Sequence, residues 1–382
     1  MDQRTPVGLA YDAVAAARAV AVLAAGRADA QDRDDGFPAE DIADLARLGL
    51  LAAPVPAVEG GAGLGDEPGA GDLADVLRLV GYGSLALGRL YEGHVNALQL
   101  VARYGGAGQR ARLFADAQAG HLFGVWNTAP PQGGLSLGGE GGELLLSGVK
   151  TYASGAGFVT RALVTGCRTG DPETFMLVVP LEPGTRADLS GWRAHGMRAS
   201  ATGTLDFEGI VLPPDAVLGA GGDYHRQPVF SAGAWRFAAV QLGGIEAVFD
   251  AWRAHLARHG RGSDPHQLAR LGQGAMAVEG ARLWIERAAR IVAEEELTPT
   301  RLVAFVNLAR LAVEKAGMEV LHLAQRSVGL QGFLRGHPLE RLSRDLATYL
   351  RQPAPDWALT CAAEEVLHAD GAVGDLFAGD GP

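Results

Sequence analysis

A chain of 382 residues, 48% hydrophobic and 20% charged, is long enough to bury a large core, shared among two or three substructures. Its net charge of −11 comes without any basic stripe, which excludes non-specific nucleic-acid binding. The two cysteines, Cys167 and Cys361, exclude a disulfide framework and a cysteine metal quartet. With no unbroken apolar run of membrane-spanning length and no basic-then-apolar leader, the expected setting is the cytoplasm.

The pattern divides the chain into three expected domains, 1–119, 120–226 and 227–382. The first is helical. "FPAEDIADLARLGL" carries Pro38 near its first turn, acids early, and Gly49 at its end, which is helix start and stop chemistry. A Gly/Pro loop follows, and helices resume through "HVNALQLVARYGG". The middle domain changes period. "HLFGVWNT", "GELLLSGVKTYAS", "RALVTGCR", "TFMLVVPL" and "ATGTLDFEGIVLP" are short, apolar or alternating, and cut by Gly, Pro and Asp. Few helices separate them, so an antiparallel barrel or sandwich is expected rather than βαβ crossovers. The last domain is helical again. Asp264-Pro265 and Thr298-Pro299 predict two helix starts, and with the segments before and after them they predict a four-helix bundle. A final helix, 355–369, follows the break at Pro353 and Pro355.

Few motifs carry chemistry by themselves. "GGLSLGGEGGE" neither follows a strand nor opens a helix, so it predicts tight turns and not a phosphate cradle. His255 and His259 lack the glutamate of a metalloprotease helix and predict an exposed helix end. His94, near Glu92, predicts a packing histidine. In "LSGVKTYASGAG", Tyr152 and Ser154 fall on one strand face at period two, beside Lys150. A ring and a hydroxyl so placed can stack on a flat heteroaromatic and bond its edge, or can belong to an ordinary hairpin.

Four segments in order resemble the acyl-CoA dehydrogenase family: "FPAEDIADLARLGLLAAPVPAVEGGAGLG", "LLLSGVKTYASGAG", "AHGMRASATGTLDFEGIVLPPDAVLG" and "VGLQGFLRGHPLERLSRDLA". The resemblance spans roughly 37–350. It implies an α+β multidomain fold with an N-terminal α-helical domain, a middle antiparallel β-barrel and a C-terminal four-helix bundle. It also implies FAD, an acyl-CoA or other acyl thioester as substrate, α,β-desaturation, and assembly as a homodimer or homotetramer.

Carried over residue by residue, Tyr152 stands for the family tryptophan against the flavin, and Ser154 for the threonine at its edge. Thr128 matches the threonine of the Thr-Glu-Pro segment, where Ala129 replaces the glutamate and Gly134 the later serine. Arg258 matches the arginine that reaches a neighbouring subunit's FAD, and Arg326 stands where the family has a glutamine in the same contact. The family's catalytic glutamate falls on Pro353, and the alternative base position falls on Trp235, just before Arg236. Neither side chain can act as a general base. Asp356 is the nearest acid, although Pro355 places it in the first turn of a helix, where it serves the helix start. Two other readings share the fold. One is a flavin-dependent monooxygenase, which needs no such base; the other is an inactive family member with a structural role.

Overall fold

The computed structural model describes residues 11–378 except 67–68, 140–141, 169, 172 and 295. Its N-terminal helices are α1 (Ala13–Gln31), α2 (Ala39–Arg47), α3 (Ala70–Gly83), α4 (Leu85–Tyr104) and α5 (Ala107–Gln118). Asp12 starts α1 by accepting from the Ala15 N–H, and Ser84 starts α4 by accepting from Leu87. Gly49 closes the turn after α2 at φ +79, a conformation that favours glycine. Helix α4 is buried along most of its length, and two of its polar residues, Glu92 and His94, face the interior.

Ten strands follow: β1 (Phe123–Trp126), β2 (Ser136–Gly138), β3 (Leu144–Ser147), β4 (Val149–Ala153), β5 (Arg161–Arg168), β6 (Thr174–Pro180), β7 (Ala187–Asp188), β8 (Gly203–Asp206), β9 (Val211–Leu212) and β10 (Val217–Leu218). They form two sheets. The larger runs β10-β6-β5-β2-β3-β9 with β1 also on β5, and the smaller runs β4-β8-β7. The pairing is more mixed than a purely antiparallel barrel, because β1 and β2 both lie parallel to β5. The loop between them, with Pro130-Pro131 and Gly133-Gly134, carries the chain forward along one edge of β5 instead of turning it back. Strand β1 therefore pairs with Arg161–Val164 and β2 with Cys167 and Arg168.

The C-terminal helices are α6 (Val229–Ala232), α7 (Trp235–Arg258), α8 (Pro265–Ala293), α9 (Pro299–Val328), α10 (Pro338–Tyr349) and α11 (Pro355–His368). Asp264 caps α8 as expected, accepting from the N–H groups of His266 and Gln267. Thr298 precedes α9 without a side-chain cap bond, and Pro299 alone presets the first φ. Helices α3 and α7 approach closely, since a Cβ on Gly243 would lie 1.9 Å from the Arg78 carbonyl oxygen. Arg78 pairs with Glu246 at 2.9 Å, and Tyr82 donates to Asp250 at 3.0 Å, across the same seam. One apolar core accordingly runs from Ala13 on α1 through the sheets to Leu350 beyond α10. Among the described residues no helix is long and apolar enough to cross a membrane.

Candidate functional site

The ends of β1 and β4 meet at one sheet edge. Trp126 Nε1 donates to the Ser154 carbonyl at 3.0 Å, and Thr151 N–H donates to the Thr128 carbonyl at 3.0 Å. Thr202 Oγ1 donates to Ser154 Oγ at 3.2 Å. Thr128, Tyr152 and Ser154 are thus brought together. The shared strand face expected for Tyr152 and Ser154 is not observed. Strand β4 ends at Ala153, its register against β8 shifts between Lys150 and Ala153, and Tyr152 takes φ +53. An extra residue absorbed there breaks the two-residue alternation and turns the Tyr152 ring outward, 68% exposed.

Behind this edge lies a small cleft bordered by Arg89, Gly93, Gly124, Trp126 and Ser154. Arg89 belongs to a polar cluster that α4 builds from positions i, i+3 and i+7, which fall on one helix face. Arg89 Nη1 donates to Glu92 at 2.5 Å, Asn96 Nδ2 donates to the other Glu92 oxygen, and Arg236 Nε donates to Asn96 Oδ1 at 2.5 Å. Glu92 is only 3% exposed. Burial pulls the Arg236 guanidinium down to about 10, although Glu92 opposes the shift. Burial also works against the Arg89 cation, but Glu92 and the nearby tyrosines outweigh it and raise its pKa. Tyr224 and Tyr349 complete the surround. Burial pushes Tyr224 up to about 12, and pushes Tyr349 well above the usual phenol range, with Glu92 adding to it. The Tyr349 hydroxyl and the Trp235 Nε1 are buried without a hydrogen-bond partner among the described residues.

His94 packs as expected. Its Nδ1 accepts from the Phe123 N–H at 3.1 Å, which leaves Nε2 to donate to the Leu51 carbonyl at 2.7 Å. His255 corrects the expectation of an exposed helix end: it is 2% exposed, stacked on His259 at 4.1 Å, with its Nδ1 3.1 Å from His337 Nε2. The packing of α10 against the end of α7 covers it, while His259 stays exposed.

Arg258 and Arg326 are both exposed, on α7 and α9 respectively. They are not brought to the Ser154 edge. Arg236 lies at the other end of α7, 22 residues away, or about 33 Å along a helix. Asp356 is exposed in the first turn of α11. Among the described residues it makes no hydrogen bond or ion pair with Arg89, Glu92, Asn96 or Arg236. Pro353 sits in the preceding turn, its carbonyl accepting from Arg310 Nη2 at 2.7 Å.

Lys150 is buried, and its Nζ donates to the Asn127 carbonyl at 2.8 Å and to Thr165 Oγ1 at 3.0 Å. It ties β4 to the loop after β1 that carries Thr128. Burial lowers its pKa to about 8. The unfolded chain then holds the extra proton between pH 8 and about 10.5, so this group makes the fold more stable as pH rises through that window. Urea unfolding of Lys150→Met beside the parent should show the parent gaining about 1 kcal/mol more between pH 8 and 9. Parallel pH curves would refute the assignment.

A broader cleft of about 650 Å³ opens where α1, the 194–198 loop and α10 meet. It is a seam of ion pairs: Arg344 bonds Asp32 at 2.5 Å and Glu340 at 2.7 Å, and Arg341 bonds Asp29 at 2.6 Å. Its charges are largely matched within the chain, and the cleft near Ser154 has the better chemistry.

Sequence reading missed Arg89, Asn96, Tyr224 and Tyr349. A signal existed for the first two in "GRLYEGHVNALQL", where polar residues repeat at helical spacing inside an otherwise apolar helix. The tyrosines come from distant segments and gave none.

Residues 12–121 match the acyl-CoA dehydrogenase N-terminal domain, and residues 220–350 match its C-terminal domain. Dibenzothiophene monooxygenase of Rhodococcus erythropolis is 26% identical over 381 residues, covering 88% of this chain and 89% of that protein. The mitochondrial short-chain specific acyl-CoA dehydrogenase of Bos taurus is 26% identical over 339 residues, covering 82% and 79%. Among solved structures, KijD3 in complex with dTDP superposes with a TM-score of 0.84 at 24% identity, covering 96% of this chain and 98% of that one. FMN-bound TdsC from Paenibacillus sp. A11-2 superposes at 0.82 and 19%, covering 96% and 100%. With both terminal domains matched over more than half its length, the chain belongs to the acyl-CoA dehydrogenase family.

Proposed function

We propose that this chain is a flavin-dependent monooxygenase built on the acyl-CoA dehydrogenase fold. The observation that carries the reading is the occupancy of the two base positions. Pro353 has no titratable group, and Trp235 is a buried indole. Glu92 is the one carboxylate of the cluster, but both its oxygens already accept hydrogen bonds, from Arg89 and Asn96. The likeness to dibenzothiophene monooxygenase over most of both chains supports the same direction.

The sheet edge suits a flavin. Tyr152 offers an exposed ring, and Ser154 and Thr128 offer hydroxyls beside it. Arg258 and Arg326 fit the family pattern only if a second copy of the chain presents them, given the distance along α7. Reduced flavin, when bound, supplies the electrons that activate oxygen. The chain's own residues bind and orient: Tyr152 stacks, Ser154 and Thr128 hold the edge, and Arg89 at the border of the cleft positions a substrate. The desaturase reading stands second, on the family likeness and the similarity to short-chain acyl-CoA dehydrogenase.

The test supplies FMN or FAD, NADH and a separate flavin reductase, and follows oxygen uptake and substrate oxygenation. Dependence on both reductase and oxygen is expected. Anaerobic bleaching of bound flavin by an acyl-CoA would instead establish the desaturase. Failure to bind flavin in either redox state would remove both and leave a structural role.

A further inference from the structure

We propose that Arg89, Arg236 and Tyr349 form a recognition site for an anionic group of the substrate, such as a carboxylate. The inference rests on the reading that the cleft behind Ser154 is where substrate is held.

Charge counting comes first. The cluster holds two guanidinium groups against one carboxylate, Glu92. Asn96 is neutral, accepting from Arg236 and donating to Glu92. One positive charge is therefore unmatched within the cluster, whose guanidinium groups are half-buried. Buried charges are ordinarily paired, so an unmatched one points to a counter-ion that arrives from outside.

Hydrogen-bond counting agrees. Each guanidinium carries five N–H donors. Among the described residues Arg89 uses Nη1 on Glu92, and Arg236 uses Nε on Asn96. The remaining donors have no protein acceptor there. Both side chains keep some accessible surface, 28% for Arg89, and Arg89 borders the cleft. The Tyr349 hydroxyl is an independent observation. It is buried and has no hydrogen-bond partner among the described residues, and its helix α10 packs against α4, which carries Arg89 and Glu92. A buried hydroxyl left unbonded is costly, and an oxyanion accepting from it and from the guanidinium groups would satisfy all three at once. A thioester carbonyl would satisfy the donors only in part and would leave the charge unmatched.

The test is direct binding by calorimetry at constant ionic strength, with acetate and benzoate set against acetamide and benzamide. Each pair matches in shape and differs in charge. The acids are expected to bind at least about tenfold more tightly than the amides, the scale of a charge-assisted hydrogen bond. Arg236→Gln should remove about tenfold of that preference, and Tyr349→Phe should weaken acid binding several-fold. Thermal melting of both variants checks that they are folded. If Arg236→Gln fails to fold, Tyr349→Phe alone decides, since it removes one unbonded hydroxyl. Equal binding of acid and amide, no binding of either acid, or unchanged binding in the variants would overturn the proposal. The measurement needs no flavin turnover. Loss of reductase-dependent oxygen uptake would fail the monooxygenase reading and leave this result intact, and the reverse holds.

Discussion

Replacing Asp345 by alanine is expected to cost about 3 kcal/mol of folding free energy. Asp345 is 6% exposed, and its Oδ1 accepts from the Met197 N–H at 2.7 Å while Oδ2 faces Arg341 Nη1 at 3.3 Å. Met197 sits at φ +59, so the bond holds a residue that the backbone alone disfavours. The neighbouring loop has no slack, because a Cβ on Gly196 would lie 2.1 Å from the Arg344 carbonyl oxygen. Alanine would leave a buried N–H unbonded and Arg341 without its intrahelical partner. Asp345→Asn keeps an acceptor at nearly the same place and should cost about 1 kcal/mol. Burial pushes the Asp345 carboxyl up, with the Met197 bond and Arg341 pulling against it, which fits a role set more by the hydrogen bond than by the charge. Urea unfolding of the two variants separates these contributions. Equal losses in both would make the charge the important part.

The same seam shows what the amino-acid sequence can and cannot say. The Arg-Asp pair of "RLSRDLA" was legible as a family feature, and its helix runs from Pro338. That Asp345 binds the 194–198 loop and Arg344 binds Asp32 at the C-terminal end of α1 was not legible. Those partners lie 148 and 312 residues away. Helices α8, α9 and α11 were legible because Pro at the first position is a local signal, joined in α8 by the Asp264 cap. The parallel pairing of β1 and β2 with β5 was not, because short apolar strands carry no mark of direction. Tyr152 shows a finer limit. Period-two counting assumed a regular strand, and a register shift of one residue reversed its consequence. Thr128, Tyr152 and Ser154 are proposed through the resemblance; the cluster beneath them needed the fold, since α4, α7 and α10 come from three separate stretches.

His94 sets the other large expected effect, a loss of stability in mild acid. The ring is fully buried, with Nδ1 accepting from β1 and Nε2 donating to the segment after α2. Both nitrogens are committed in the neutral form. A second proton would have to go on Nδ1, where it would break the Phe123 bond and bury a charge. Burial accordingly lowers the pKa to about 4, with the Leu51 carbonyl only partly offsetting it. The unfolded ring has its ordinary value near 6.5, so between 6.5 and 4 the unfolded chain binds the extra proton. The contribution is fully present above pH 6.5 and is lost as pH falls through 4, to a total of about 3 kcal/mol. His225, His255 and His337 are shifted the same way, so the parent curve alone does not isolate this ring. His94→Gln does. Glutamine can donate to Leu51 or accept from Phe123 but takes up no proton, so the variant should be less stable at pH 7 and should lose less on acidification. The measurement is the slope of unfolding free energy against pH from 6.5 to 4, expected to be shallower in the variant by about 1 kcal/mol per pH unit. Equal slopes would mean that His94 takes up its proton in the fold as readily as in the unfolded chain. An imidazolium donates from both nitrogens, so the Phe123 N–H would lose its acceptor, and the join between α4, β1 and the α2 turn would rest on the Leu51 bond and the surrounding apolar packing.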